Sequence, residues 1–309
     1  MQFLFIGLGS IAMRHIRNLR DMTGDSITIT VLRSGKGRID IPDQDKLIDF
    51  ICYDMEYLGK WYDAIFITNP TALHYRTLCE FKEMSNCFFI EKPVFETGKE
   101  DITDFLGDGK QYYVACPLRY TYLIQYLKQR IDFSKIYSVR CISSSYLPEW
   151  RPDTDYRKSY SAKKELGGGV SIDLIHEWDY IYYLLGRPES VKSIVEKKSR
   201  LEIDSDDIAV YIAEYTDKIV EIHLDYFGRE PVRKVELFGE NDTLVADLVS
   251  NQITWLKKKE RISFVQERDD YQKKELQHFL DVLAGTAESG NGLEEAGEVL
   301  RIAKGDKNL

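Results

Sequence analysis

The sequence predicts an α/β protein in two parts: a doubly wound parallel sheet, then an α+β region with a large, mostly antiparallel open sheet. Three observations carry this. Through the first third, short apolar runs alternate with helix-length segments. A glycine turn, Gly7-Leu8-Gly9, separates the first of these runs from a helical pattern. From Val191 onward, strand-like runs instead follow one another through tight polar turns. At 309 residues the chain exceeds the size at which a single core keeps growing, and the change of texture divides it into residues 1–118 and 119–309.

In the first part, residues 3–6, 27–32, 64–68, 87–90 and 112–115 read as strands. Helix-length connections between them require right-handed crossovers and therefore a parallel sheet. Residues 71–83 read as a helix with Ala72, Tyr75, Leu78 and Cys79 on one face. In the second part, a helix near 120–130, a polar aromatic loop over 145–164 and a helix over 170–185 come first. Strands over 191–195, 208–215, 219–226, 234–238, 243–247 and 252–256 follow. Such a sheet has one face to cover, and the 170–185 helix with terminal helices over 270–284 and 294–303 is available to cover it.

Composition narrows the function classes. Hydrophobic residues make up 43% and charged residues 30%, the balance of an ordinary globular protein. The net charge of −9 argues against a nucleic-acid partner, since phosphate binding draws on clustered Lys and Arg. The five cysteines form no CxxC pair, so neither a disulfide framework nor a zinc ribbon is expected, and reduced cytoplasmic thiols fit best. The apolar start is too short for a signal segment, and no later stretch approaches the roughly 20 apolar residues of a membrane span.

The order strand, Gly7-Leu8-Gly9-Ser10-Ile11-Ala12, helix has the form of a dinucleotide phosphate cradle. Gly7 permits the sharp turn, Gly9 lets the backbone approach the pyrophosphate, and Ala12 is small enough for close helix packing. The phosphate then meets the free N–H groups and the positive dipole end of the helix. At the second strand's tip an NAD site normally carries Asp or Glu for the ribose hydroxyl; here the chain has Arg33-Ser34, followed by Lys36 and Arg38. This leans the cofactor to NADP, with NAD the alternative.

Glu91-Lys92-Pro93 follows the fourth of these strands, at the edge where an open parallel sheet binds its ligands. A Lys there can hydrogen-bond a substrate hydroxyl and exchange its proton, and Pro93 can impose a fixed, cis or trans, turn. Further on, Gly167-Gly168-Gly169 leads into Asp173 and His176, whose spacing on a helix places carboxylate and imidazole on one face for hydroxyl binding and acid–base work. A structural role for His176 is an equal reading. No second His stands at HExxH spacing, so no metal site is expected.

Taken together these segments resemble the glucose-fructose oxidoreductase, inositol dehydrogenase and MocA (Gfo/Idh/MocA) family of NAD(P)-dependent oxidoreductases. The matching pieces are the glycine turn, Thr68-Asn69-Pro70 with His74, Glu91-Lys92-Pro93, and the triple glycine leading to Asp173 and His176, in family order across most of the chain. The resemblance implies a Rossmann domain followed by an open-sheet domain that builds homodimers or homotetramers. It also implies that Lys92 and His176 share proton transfer, that Asp173 holds the substrate, and that the Thr68 to His74 loop and Glu91 lie along the cofactor. Arg119 corresponds to a substrate contact, although Pro117 replaces the family's Asn, and the Asp173–His176 interval is one residue shorter than in many members.

The loop carrying Trp150, Arg151, Tyr156 and Arg157 is similar to members of bacterial surface-sugar and acylamino-sugar pathways. These side chains suit stacking on a sugar and pairing with carboxylate or phosphate; packing against a partner subunit is an equal reading. The expected activity is hydride transfer between the nicotinamide and a secondary alcohol of a sugar or sugar derivative. The alternatives are a cofactor-retaining enzyme of glycosidic elimination and a non-catalytic NAD(P)-sensing protein.

Overall fold

The computed structural model describes residues 1–35 and 47–306; Lys36 and Arg38 lie outside them. By internal contacts the chain forms two compact units, Met1–Pro117 with Arg268–Glu298, and Leu118–Glu267 with Val299–Leu309.

In the first unit, strands β1 (Gln2–Ile6), β2 (Thr28–Leu32), β3 (Phe50–Cys52), β4 (Ala64–Ile67), β5 (Cys87–Ile90) and β6 (Gln111–Val114) form a parallel sheet in the order β3-β2-β1-β4-β5-β6. Central strands β4 and β5 are buried along their whole length, as a sheet covered on both faces requires. The short edge strand β3, not expected from the sequence, begins at an exposed Phe50. Helix α1 (Ser10–Thr23) buries Ala12, His15, Ile16 and Leu19, and it ends at Gly24. Helix α2 (His74–Phe81) is flanked by 3-10 turns and buries His74, Thr77, Leu78 and Phe81. Its inner face is thus rotated from the expected one: Ala72 and Cys79 are exposed, because packing selects the side that carries Phe81.

The second unit is built on β7 (Ile136–Tyr146), β8 (Ser190–Glu196), β9 (Ile208–Tyr215), β10 (Lys218–Asp225), β11 (Phe227–Gly239), β12 (Thr243–Asp247), β13 (Gln252–Trp255) and β14 (Glu260–Ser263). Their order is β14-β13-β12-β11-β7-β10-β9-β8, antiparallel throughout except for the parallel β7–β10 pair. Helices α3 (Tyr122–Arg130), α4 (Val170–Asp173) and α5 (His176–Leu185) belong to this unit. Thr121 caps α3, its hydroxyl accepting from Ile124 N at 3.3 Å. Inward residues of the sheet meet α5: Trp178 packs edge-on against Tyr211 at 5.3 Å, and the Tyr180 hydroxyl lies 3.0 Å from Cys141 Sγ. The opposite face exposes Ile194, Ile212 and Ile219.

The terminal helices do not both cover this second sheet. Helix α6 (Arg268–Leu283) packs against α1 in the first unit, where Phe279 meets Phe66, Phe89 and Tyr113 at 5.2–5.6 Å. Burying such a ring is worth about 1.5–3 kcal/mol, and the parallel sheet takes it. Helix α7 (Leu293–Ala303) has its last turn in the second unit, where Ala303 O accepts from the Tyr211 hydroxyl.

Candidate functional site

In the first unit, candidate residues gather at the carboxyl ends of β1, β2, β4 and β5. Gly7 follows β1 with a φ of 95°, and a Cβ there would lie 2.7 Å from Asn69 Cα. Thr68 closes the turn: its N–H donates to Ile6 O, and its hydroxyl reaches Ile6 O at 3.1 Å and Gly7 O at 3.0 Å. Gly9 differs. Its backbone is extended, and a Cβ there would meet nothing within 4 Å. Nothing in the packing of the described residues demands glycine at this position, whereas a phosphate held against the backbone would. The first turn of α1 carries no side-chain cap and no acidic residue, so the exposed Ser10 and half-buried Ile11 offer their amides to an anion. Ala12 is fully buried. These residues fit a dinucleotide pyrophosphate.

At the tip of β2, Arg33 N donates to Cys52 O at 2.9 Å; the Arg33 side chain is largely buried, and Ser34 is exposed. Asn69 Nδ2 donates to Thr77 Oγ1 at 2.8 Å, and Pro70 is exposed. His74 is buried with Nε2 2.9 Å from Asn69 O and Nδ1 3.1 Å from Pro93 O, so it ties the Thr68–Pro70 loop to the segment after β5. Burial pushes its pKa down, against the neighbouring carbonyls and the charge of Glu91.

The Lys92–Pro93 bond is cis, and Lys92 is half-buried. Glu91 turns onto a residue outside every motif named above: its Oε1 lies 2.5 Å from His15 Nε2, while Oε2 accepts from Lys92 N at 3.1 Å. Burial alone would raise the Glu91 pKa; the hydrogen bond and charge of His15, with Lys92, outweigh it and hold the carboxyl below its ordinary range. His15 had a signal in the sequence, being a polar side chain on the same α1 face as Ala12, Ile16 and Leu19, where burial demands a partner.

In the second unit the helix expected over 170–185 is broken. Helix α4 ends at Asp173 and α5 begins at His176; between them Ile175 N and Glu177 N reach back three residues, to Ile172 O and Leu174 O. Asp173 and His176, both half-buried, therefore flank a tightened turn instead of lying along one regular helical face. The triple glycine serves the chain's own packing. A Cβ on Gly168 would lie 2.0 Å from Tyr160 O, and one on Gly169 would lie 2.2 Å from Asp206 Oδ1. Asp206 in turn accepts from Ser171 N at 2.8 Å, and burial followed by the charge of Asp173 raises its pKa. Asp173 accepts from the Tyr226 hydroxyl at 2.6 Å. Just after His176, the fully buried Glu177 pairs with Arg233 at 2.7 Å and anchors the first turn of α5.

Trp150 is brought toward Asp173 indirectly, its ring meeting Tyr226 edge-on at 5.2 Å and its Nε1 donating to Ser145 Oγ at 2.9 Å. Arg151 is exposed. The Tyr156 hydroxyl accepts from Glu202 N, and Arg157 pairs with Asp155 at 2.8 Å and Glu202 at 3.0 Å. Arg119 is buried and forks onto Asp179, Nε to Oδ2 at 3.0 Å and Nη2 to Oδ1 at 2.7 Å, with its guanidinium over the Tyr183 ring. That geometry makes Arg119 a brace between the segment before α3 and α5.

A parallel sheet opening on a glycine turn, together with a second unit built on a wide open sheet, is an architecture of the dinucleotide-binding class. Residues 124–245 match the family model GFO/IDH/MocA C-terminal domain, so this segment belongs to that family and the resemblance read from the motifs is borne out. The chain is 24% identical to "Uncharacterized oxidoreductase YrbE" of Bacillus subtilis, over 97% of this chain and 92% of that protein. Among solved structures, levoglucosan dehydrogenase in complex with NADH is similar with a TM-score of 0.82 and 15% identity, covering 99% of this chain and 95% of that one. The WlbA dehydrogenase of Bordetella pertussis, in complex with NADH and UDP-GlcNAcA, gives 0.81 and 19%, covering 99% and 94%. At these identities the two structures establish the fold. Among the described residues, no helix is long and apolar enough to cross a membrane.

Proposed function

We propose that this chain is an NAD(P)-dependent dehydrogenase acting on a secondary alcohol of a sugar or sugar derivative. The observation that carries the reading is the contrast between Gly7, required by Asn69, and Gly9, required by nothing among the described residues. When bound, the nicotinamide supplies hydride acceptance or donation at C4. The chain's residues do the rest. The α1 N-terminus holds the pyrophosphate, Asp173 accepts the substrate hydroxyl, and Lys92 or His176 exchanges its proton.

Arg33 stands at the tip of β2, where an NAD site would carry Asp or Glu in the sequence, and this favours NADP over NAD. The sugar class draws on the relatives that act on levoglucosan and bind UDP-GlcNAcA, and on the exposed Trp150 as a stacking surface. The exposed isoleucines on the open sheet face support a homodimer or homotetramer formed through that face, and the reading includes a reducing, cytoplasmic compartment.

The test is turnover of sugar-type secondary alcohols with NADP and NAD, in wild type and Lys92→Met. The variant is expected to lose turnover while keeping cofactor affinity; equal loss of both removes Lys92 from proton exchange.

A further inference from the structure

Tyr226 stands immediately after β10, between two elements of the second unit, and its side chain is fully buried. Its backbone is held on both sides: its N–H donates to Asp207 O at 3.0 Å, and its carbonyl accepts from Leu147 N at 2.9 Å. The ring receives the edge of Trp150, and the hydroxyl donates to Asp173 Oδ2 at 2.6 Å. Leu147 and Trp150 belong to the segment that follows β7. One side chain therefore joins the aromatic loop to the carboxylate proposed to hold the substrate.

The Asp206 carboxyl, buried and fixed on Ser171 N, also feels the Asp173 charge, which adds to burial in raising its pKa. Ionised acids that sense one another's charge repel, which favours rotation of a carboxylate or its protonation. A proton donor aimed at one oxygen of Asp173 opposes both. Tyr226 has the chemistry of such a donor. Burial first, then the Asp173 charge, push its ionisation well above the tyrosine range, so the phenol stays protonated and donates. Short hydrogen bonds from O–H to carboxylate are the strong, charge-assisted kind.

We infer that Tyr226 is a positioning residue: its hydroxyl fixes the Asp173 carboxylate in the orientation that receives the substrate hydroxyl, and its ring braces the Trp150 loop. This rests on the reading of Asp173 as the substrate-holding acid. Tyr226 carries no motif signal, and its partners lie 53 and 76 residues earlier in the chain, at Asp173 and Trp150.

The experiment pairs Tyr226→Phe, which removes one oxygen from an otherwise unchanged ring, with Asp173→Asn and wild type. Proton NMR without substrate is expected to show a downfield hydroxyl resonance in wild type that disappears in both variants. With a turned-over alcohol, Tyr226→Phe is expected to lower kcat/KM about tenfold, the order for losing a hydrogen bond to a charged group, with the cofactor dissociation constant unchanged. Wild-type kcat/KM in Tyr226→Phe overturns the inference, and so does a wild-type spectrum without the resonance. If wild type shows the resonance but oxidises no alcohol, the Tyr226–Asp173 bond stands and the dehydrogenase reading falls. Should Tyr226→Phe fail to fold, comparing wild type with Asp173→Asn still decides whether the bond exists.

Discussion

The Asn69 backbone approaches Gly7 so closely that a Cβ there would lie 2.7 Å from Asn69 Cα, while two residues later a Cβ on Gly9 would meet nothing. Gly7→Ala adds that clash to a left-handed backbone strain of order 1–3 kcal/mol, so its melting temperature is expected to fall clearly. Gly9→Ala is expected to melt within a few degrees of wild type yet bind NAD(P)H much more weakly. Thermal melts and fluorescence titration of the two variants check this; equal behaviour of the pair contradicts the cradle.

On the proposed NADP reading, Arg33 sets the cofactor preference. In a parallel titration, wild type is expected to bind NADPH more tightly than NADH, and Arg33→Ala to bring NADPH down to the NADH level. The largely buried Arg33 side chain stands one residue beyond β2, next to a main-chain bond from its own N–H to Cys52 O.

The Arg119–Asp179 fork is a buried ion pair with both partners nearly inaccessible. Removing one member of such a pair leaves the other charge buried and costs about 3–5 kcal/mol. Arg119→Met is therefore expected to lose stability in chemical denaturation, whereas a substrate-contact role would raise KM in a fully stable variant.

His74 sets a pH dependence. Its folded-state pKa is held below the ordinary 6.5, chiefly by burial. The folded state disfavours the charged ring, so the stability associated with neutral His74 is complete above that value and is lost as pH falls through the depressed pKa. Melting temperatures measured between about pH 7 and about pH 5 should decline less steeply in His74→Gln than in wild type.

Much of the first unit was legible because its signals are local. A strand, a glycine turn and an amphipathic helix are encoded within residues 2–23. Strand β7 lacks a clear signature: its inward residues Val139, Cys141 and Ser143 alternate with Ser138, Arg140 and Ile142, a weak pattern in a serine-rich stretch. Strand β14 has no fully buried residue and so no apolar signature. The 170–185 segment reads as one helix because its apolar side chains continue through Leu174 and Ile175, where the backbone tightens. At the site, the glycines and the Glu91-Lys92-Pro93 motif could be found from neighbours in sequence. The partners that orient them could not, since His15 meets Glu91 across 76 residues and Ser171 meets Asp206 across 35.

The return of residues 268–298 to the first unit bears on how the protein is made. As the chain leaves the ribosome, the six-stranded sheet is complete in strands by Val114, yet Phe66, Phe89 and Tyr113 still lack Phe279, and Cys116 N lacks the Glu275 carboxylate that accepts it. More than half of the polypeptide must be synthesised before that apolar face is closed. Of the two units, the one synthesised earlier is the one that finishes folding late, and a nascent chain arrested before residue 268 presents an uncovered aromatic surface to chaperones.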